Sequence, residues 1–198
     1  MPESNGDAPR LIFAVSGASG AILADATAQA LLRRGIGLDA VCSDYGEVMW
    51  RQETDERFRD AAARWAAIGR VTVHRPEDVA APIASGSYPS CGMVVVPCSM
   101  ATAAAIATGV GHNLLHRAAD VTLKEKRRLV VVPRETPLSV IHLRNLVTLA
   151  EAGAVVLPPD PAFYLRPKSV DDVIQALAAR ILQALGVVAA VDPAYRWA

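Results

Sequence analysis

Residues 97–137 read PCSMATAAAIATGVGHNLLHRAADVTLKEKRRLVVVPRETP. One short apolar run, at 93–96, lies just before this stretch, and a second, at 129–132, lies inside it. Polar residues follow each run: CSMAT at 98–102 and RET at 134–136. Strands that alternate with helices are typical of a parallel α/β sheet, in which ligands bind beyond the carboxyl ends of the strands. We therefore expect hydroxyls, helix N-termini, a guanidinium and a carboxylate around one crevice, which suits an anionic ligand and proton-coupled chemistry.

The same alternation runs through the rest of the chain. Apolar runs predict strands at 11–15, 38–42, 93–96, 129–132 and 155–157, with a short one possible at 71–74. Helices are expected at 19–34, 45–65 with a break near Glu53, 100–108, 113–126, 137–152 and 170–185. Pro137 is expected in the first turn of its helix, and Ser169 as the cap of the last one.

This order of elements predicts a doubly wound, three-layer parallel sheet in a single domain over residues 10–187. Residues 1–9 are expected to form a flexible segment. Residues 188–198 are expected to form a tail, whose Tyr195 and Trp197 suggest packing against a neighbouring subunit.

The composition excludes several classes of protein. With 52% hydrophobic and 20% charged residues over 198 positions, the chain is expected to bury one sizeable core. Twenty basic residues balance twenty acidic ones, so no net field favours nucleic acid. No apolar run reaches the roughly 18 residues that span a bilayer, and the polar N-terminus does not resemble a secretory signal.

The cationic cluster at 124–128 is either a solvated helix end or a contact for phosphate or a partner.

The cysteines indicate a reducing compartment. Cys42, Cys91 and Cys98 are few and odd in number, which favours reduced thiols in the cytoplasm over a disulfide framework. Cysteines and histidines do not show the spacing of a metal site, and no metal is predicted.

A glycine turn, Ser16-Gly17-Ala18-Ser19-Gly20, directly follows the first predicted strand. Glycines permit a tight turn, and the helix that follows offers N–H groups to an anion, which favours a mononucleotide phosphate. The turn lacks the full dinucleotide pattern and the Gly-Lys-Ser/Thr of a P-loop. The alternative is a strand-to-helix turn without a ligand, in which Ser19 caps the helix.

Arg134 and Glu135 form the most specific polar pair. An arginine at a strand's carboxyl end suits bidentate phosphate binding. A partly desolvated Glu135 could have a raised pKa and shuttle a proton near neutral pH. A structural salt bridge between the two is the alternative.

Other polar residues have both a structural and a functional interpretation. Ser43 alone is typical of an N-cap, and Glu53 alone of a solvated carboxylate. The loop at 84–88 could close over a ring system or merely connect two elements. Tyr164 could donate a hydrogen bond to a phosphate, whereas Arg180 alone is typical of a side chain that extends along an apolar helix face.

Taken together, the motifs resemble those of the UbiX-type flavin prenyltransferases, formerly described as aromatic-acid decarboxylase subunits. They cover nearly the whole chain in the family's order and are specific jointly. The matching segments are SGASGA at 16–21, QETD at 52–55, ASGS at 84–87, PCSM at 97–100, NLL at 113–115, RAAD at 117–120, LKE at 123–125, PRETP at 133–137, HLRN at 142–145 and FY at 163–164.

The resemblance implies a flavodoxin-like, Rossmann-type fold assembled as a homo-oligomer, a dodecamer in the family, with FMN at subunit interfaces. It implies transfer of a dimethylallyl group from dimethylallyl monophosphate to N5 and then C6 of reduced FMN. It implies no metal, because protein cations hold the monophosphate leaving group. The product, prenylated FMN, is expected to serve a partner decarboxylase of the UbiD type.

The resemblance also assigns roles to individual residues. Ser19, near the flavin N5 edge, would act with Glu53 and Glu135, which manage protons. The FMN site would consist of Gly17, Ala18, Ser19, Ser43, Ser99, Met100, Ala101, Thr102 and Arg134. The allylic phosphate would be held by Lys124, Tyr164 and Arg180, with a contribution from Arg134.

Two departures from the family pattern stand out: Ala101 replaces a lysine that many members carry, and Val79 replaces a tryptophan that some carry.

Two rival functions remain. A flavin-dependent peptidyl-cysteine decarboxylase shares the fold, but such enzymes typically carry a histidine in the first helix and a Pro-Ala-Ser-Ala-Asn-Thr motif, which this chain lacks. A non-catalytic FMN carrier is the second rival, and the presence of both glutamates argues against it.

Overall fold

Strands and helices alternate through residues 9–190, the part of the chain that the computed structural model describes. The strands are β1 (Arg10–Val15), β2 (Gly37–Cys42), β3 (Val71–His74), β4 (Ser90–Cys98), β5 (Leu129–Pro133) and β6 (Val155–Val156). The helices are α1 (Ala21–Leu32), α2 (Asp44–Thr54), α3 (Phe58–Ala66), α4 (Met100–Thr108), α5 (Leu114–Lys124), α6 (Val140–Glu151) and α7 (Val170–Ala184). Tyr195 and Trp197, like most of the predicted N-terminal segment, lie outside the described residues.

The six strands form one sheet in the order β3-β2-β1-β4-β5-β6, and every neighbouring pair is parallel. The predicted doubly wound parallel sheet is confirmed, and the short strand at 71–74 is its edge. Without that edge strand, the remaining five follow the order 2-1-3-4-5 of flavodoxin-like folds. The chain reverses its direction of winding between β1 and β4, so a crevice opens beyond their carboxyl ends.

Side chains that alternate along the strands build one apolar core on each face of the sheet. Phe13 points to the face covered by α1, α2, α3 and α7, where its ring meets Trp65 edge to face at 5.6 Å. Ile12 and Ala14 point to the other face and pack with α4, α5 and Leu149 of α6. Because both faces are covered, the strands are continuous apolar runs, as the sequence shows.

Local capping signals set most helix ends. The Ser169 hydroxyl accepts a hydrogen bond from the Asp172 N–H at 3.1 Å, which confirms the predicted cap of α7. The prediction that Pro137 lies in the first turn of a helix is wrong, since α6 begins at Val140. There Ser139 Oγ accepts from the His142 N–H at 3.2 Å, and His142 Nδ1 accepts from the Ser139 N–H. This reciprocal cap fixes the helix start three residues after the proline.

Within residues 9–190, no helix is both long and apolar enough to cross a membrane.

Candidate active site

Ser16 joins the carboxyl ends of β1 and β4. Its buried hydroxyl donates to the Pro97 carbonyl at 3.2 Å and accepts from the Ser99 N–H at 2.8 Å. The Ser16 N–H also donates to the Pro97 carbonyl, at 3.1 Å. The glycine turn after β1 and the start of α4 are therefore held side by side at the switch point of the sheet.

Gly17 is a glycine because α2 passes close to it. A Cβ built on Gly17 would lie 2.5 Å from the Cβ of Tyr45 and 3.2 Å from its carbonyl carbon. The 2.5 Å distance is too short for two carbon atoms, and the atoms in the way belong to the backbone and to the base of a side chain. The glycine thus allows the first turn of α2 to close one wall of the crevice.

Glu53 caps helix α1, which corrects the expectation that this helix offers free N–H groups to an anion. Its Oε2 accepts from the Gly20 N–H at 3.0 Å and from the Ala21 N–H at 2.8 Å. Helix N-termini carry partial positive charge, and here a carboxylate of the chain itself neutralises it. The break between α2 and α3, predicted near Glu53, falls at Asp55, which has a left-handed φ of 57°.

Arg134 connects β5 to the glycine turn. Its Nε donates to the Ser19 carbonyl at 3.3 Å, and its backbone N–H donates to the Cys98 carbonyl at 3.1 Å. Arg134 therefore contacts the carbonyl of Ser19, and Glu53 contacts the N–H of the next residue, Gly20. No ion pair joins Arg134 to Glu135 within residues 9–190, so the alternative of a structural salt bridge between them is not found there.

A cavity of about 420 Å³ lies between the glycine turn and the starts of α2 and α4. Ser43 and Ser99 cap these two helices, since their hydroxyls accept from the N–H groups of Gly46 at 3.1 Å and of Thr102 at 3.2 Å. Ser99 also donates to the Thr102 hydroxyl at 3.1 Å. The predicted FMN residues that line the cavity are Gly17, Ser43, Ser99, Ala101 and Thr102. Ala18 and Met100, also predicted there, are buried and do not line it.

Unpaired backbone N–H donors belong to residues that line this cavity, which suits an anion. The N–H groups of Asp44, Tyr45 and Ala101 have no hydrogen-bond partner among the described residues, as is usual in a first helical turn. All three residues line the cavity. Unpaired N–H groups and hydroxyls at two helix N-termini suit a phosphate.

Glu135 is exposed in the single chain, so the expected partial desolvation of its carboxyl is not found there. Its Oε1 accepts from the Thr136 N–H at 3.0 Å. Together with Arg134, Glu135 lines a cavity of about 310 Å³ that extends to Pro158 and Asp160. Burial of this carboxyl therefore requires a ligand or a neighbouring chain.

Tyr164 and Arg180 line an adjacent cavity of about 340 Å³, which shares Pro158 and Asp160 with that of Glu135. The Arg180 guanidinium also donates to the Gln183 side chain. The structure therefore brings these two predicted phosphate ligands near Arg134.

Lys124 lies elsewhere. Helix α5 starts at the carboxyl edge of the sheet, where the Leu114 N–H donates to the Pro76 carbonyl at 2.7 Å, and it runs about 16 Å to the opposite edge. There Lys124 pairs with Glu125 beside Gly86. The loop at 84–88 lies on the same side, held by Arg127, which donates to the carbonyls of Gly86 and Tyr88. Within one chain neither Lys124 nor this loop reaches the glycine turn.

The sequence did not single out three residues that line the cavity. These residues are Tyr45 in the first turn of α2, His116 in the first turn of α5, and His112 in the loop just before α5. The spacing of the two histidines, four residues apart around a helix start, is the signal that would have indicated a shared face.

All three cysteines are free, and none is reactive by its surroundings. Burial raises the pKa of the Cys98 thiol to about 12, although Cys98 directly precedes the site. No group of three or more histidine, cysteine or acidic side chains within residues 9–190 could hold a metal ion.

Comparisons with known proteins agree with this geometry. A family model described as Flavoprotein matches residues 2–182. Flavin prenyltransferase UbiX of Archaeoglobus fulgidus is 47% identical over 178 residues, which cover 90% of this chain and 95% of the relative.

Two solved structures are similar over nearly their whole length. AnUbiX (PadA1), in complex with FMN and dimethylallyl pyrophosphate, has a TM-score of 0.85 at 44% identity, covering 90% of this chain and 93% of the other. A dodecameric FMN-dependent UbiX-like decarboxylase from Escherichia coli O157:H7 has a TM-score of 0.86 at 43% identity, covering 96% and 98%. The rival class shares only the fold: the cysteine decarboxylase TvaF has a TM-score of 0.61 at 16% identity, covering 90% and 98%.

A doubly wound sheet with a cavity at its switch point, matched along its length by the flavoprotein model, defines a flavoprotein. Within that class, the identity to its relatives is high over almost all of both chains. The chain belongs to the flavin prenyltransferase family.

Proposed function

We propose that this chain transfers a dimethylallyl group from dimethylallyl monophosphate to reduced FMN, first to N5 and then to C6. The observation that carries the proposal is the convergence of Glu53 and Arg134 on the glycine turn that carries Ser19, whose Gly17 lines the cavity of about 420 Å³. It occurs in a chain 47% identical to a named flavin prenyltransferase.

The residues present fit FMN. The hydroxyls and unpaired N–H groups of the cavity would hold the phosphate end, and the ring would extend toward Ser19 and Arg134. Reduced FMN supplies the electron-rich atoms that attack the allylic carbon. Because the chain contributes no nucleophile of its own, much of its work is to position the two substrates.

Departure of the allylic phosphate is the step that protein cations assist. Arg134, Tyr164 and Arg180 surround two adjacent cavities, and their donors would neutralise charge that develops on the leaving oxygen. Lys124 would join them from a neighbouring chain. The diphosphate donor is the alternative, since AnUbiX (PadA1) is seen with dimethylallyl pyrophosphate.

The two glutamates would move protons. Bond formation at N5 releases a proton there, and closure at C6 needs one proton on the prenyl double bond and releases another from C6. Glu53 lies beside the turn that carries Ser19, and Glu135 lies beside Arg134, so each carboxylate is within the region where the prenyl group would sit.

An oligomer would complete the site. Helix α6 buries only Leu149 of its twelve residues and exposes apolar side chains, among them Ile141 at 68% and Val140 at 61%. Apolar patches of this kind mark interfaces between proteins. A homo-oligomer, dodecameric as in the Escherichia coli relative, would cover this face and supply Lys124 to a neighbour's cavity.

The product would serve a UbiD-type decarboxylase, and the three free cysteines favour a cytoplasmic location.

The test is anaerobic incubation of the protein with FMN, dithionite and dimethylallyl monophosphate, followed by mass spectrometry of the released flavin. A mass gain of one dimethylallyl unit supports the proposal. Unmodified FMN, from protein shown to bind it, overturns it for this donor. Glu135→Gln separates an enzyme from a carrier: it should bind FMN but lose turnover, whereas a carrier would be unaffected.

A further inference from the structure

Two histidines form a wall of the cavity between the glycine turn and the starts of α2 and α4. His112 lies in the loop between α4 and α5, and His116 in the first turn of α5. Their ring centroids are 6.4 Å apart. Both line the same cavity as Gly17 of the glycine turn.

Hydrogen bonds fix the orientation of the His116 ring. Its Nδ1 accepts the backbone N–H of His112 at 3.4 Å, and its own backbone N–H donates to Asn113 Oδ1 at 3.0 Å. Because Nδ1 accepts, the proton of the neutral ring is on Nε2. His116 therefore has one side-chain donor that no bond within residues 9–190 uses.

The charges around the ring are limited. Asp44 and Tyr45 reach the cavity from α2, and Glu77 reaches it from the segment after β3. The Glu77 carboxylate is already bound by Arg75, at 2.6 Å. Burial and the neighbouring His112 both lower the pKa of His116, so the ring is neutral at pH 7 before a ligand binds.

An anion in the cavity would reverse that balance. The start of α1 is occupied by Glu53, so the donors left for a phosphate are those of the α2 and α4 starts and the histidine wall. A phosphate dianion next to the His116 ring favours its protonated form, in which the added proton lies on Nδ1 and displaces the 3.4 Å hydrogen bond from the His112 N–H. The charged ring then donates from Nε2 to the phosphate more strongly than the neutral ring does.

We propose that His116, backed by His112, binds the phosphate group of FMN and makes FMN affinity rise as the pH falls from 8 to 6. The proposal rests on the proposed function only in taking FMN as the ligand. It adds a specificity determinant: the histidine wall selects the phosphorylated flavin over riboflavin, which has the same ring system without the phosphate.

The test measures dissociation constants of oxidised FMN and of riboflavin by quenching of flavin fluorescence, at pH 6 and pH 8. For FMN at pH 6, His116→Ala should weaken binding by about tenfold or more, the size of a hydrogen bond to a charged group. Riboflavin binding should change less than about twofold, because the lost contact is to the phosphate. His116→Gln keeps an N–H donor but no titratable ring, so it should retain most of the affinity at pH 8 and lose the rise toward pH 6.

Equal losses for FMN and riboflavin would show that His116 only supports the wall, and would overturn the proposal, as would an unchanged FMN affinity. Circular dichroism of both variants checks that they are folded. Turnover is not needed for this readout. If the wild type binds FMN with the expected pH dependence but prenylates nothing, the proposed function fails and the role of His116 stands.

Discussion

Glu53 Oε2 lies 2.8 Å from the backbone nitrogen of Ala21, so one carboxylate both caps helix α1 and stands next to the turn that carries Ser19. Glu53→Gln keeps an oxygen acceptor for the cap but removes the charge and the exchangeable proton. We expect unfolding free energy to fall by no more than about 1 kcal/mol. Prenylation should fall by about a hundredfold or more, as for loss of a general acid–base group.

Glu56→Gln is the matched control, because Glu56 lies just beyond the end of α2 and pairs with Arg64 instead of the glycine turn. Thermal unfolding and anaerobic turnover are measured for both variants. If Glu53→Gln retains turnover like the control, Glu53 is a cap without a part in catalysis.

Gly17→Ala should impair FMN binding through packing. The new methyl group would lie 2.5 Å from Tyr45 Cβ, and the first turn of α2 must move to relieve the clash. Overpacking of this size costs about 1–3 kcal/mol of stability. The same shift would misplace Ser43, so FMN affinity should drop as well.

Gly111→Ala is the control, since nothing lies within 4 Å of the added carbon. Chemical denaturation and FMN titration should distinguish the two variants. Equal behaviour would mean that the crevice wall adjusts to a side chain at position 17 without loss.

The sequence predicted features that depend on neighbours along the chain and missed those that depend on packing. Ser169 was correctly predicted as a cap, and the break after Glu53 was found, because both are local signals. By contrast, the cap of α1 by Glu53 joins residues more than thirty positions apart, and no local pattern encodes it. The contact of Tyr45 with Gly17 also joins residues far apart in the sequence, and no local pattern encodes it either. The position of Lys124 follows from helix direction in the sheet, which the motif alone does not give.

A buried ion pair at the amino half of the sheet should make stability depend on acid pH. Asp39 is 1% exposed and accepts from Arg10 at 2.5 and 2.7 Å and from the Tyr88 hydroxyl at 2.7 Å. His74 Nε2 lies 2.9 Å from the same carboxylate. Although burial opposes it, these hydrogen bonds hold the pKa of Asp39 well below its ordinary value.

Because the unfolded chain then binds a proton more readily at this position, stability rises with pH. The contribution of Asp39 is fully present above its ordinary pKa of about 4 and is lost as the pH falls from there toward the lowered value. Asp39→Asn should remove this part of the slope and, by leaving Arg10 buried without a carboxylate, cost about 3–5 kcal/mol. Denaturant unfolding between pH 2.5 and 6 measures both effects. Asp160→Asn, at an exposed position, should keep the wild-type slope; an identical slope in both variants contradicts the assignment.

Arg134 lies at the carboxyl ends of the strands and Lys124 at their amino ends, so a shared phosphate site must draw the two residues from different chains. Lys124→Ala and Arg134→Ala should each abolish prenylation when pure, since each removes one cation from every site. Unfolded together and refolded as a mixture, the two variants should regain activity, because some sites then combine an intact Lys124 from one chain with an intact Arg134 from another. With equal amounts and random assembly, about one quarter of the sites are intact. A mixture that stays inactive, with size-exclusion chromatography showing normal assembly, would contradict a site shared between two chains, and an active pure Lys124→Ala would place Lys124 outside the site. A matched mixture of Lys124→Ala with a Lys124→Ala, Arg134→Ala double variant should remain inactive, because no chain supplies the lysine.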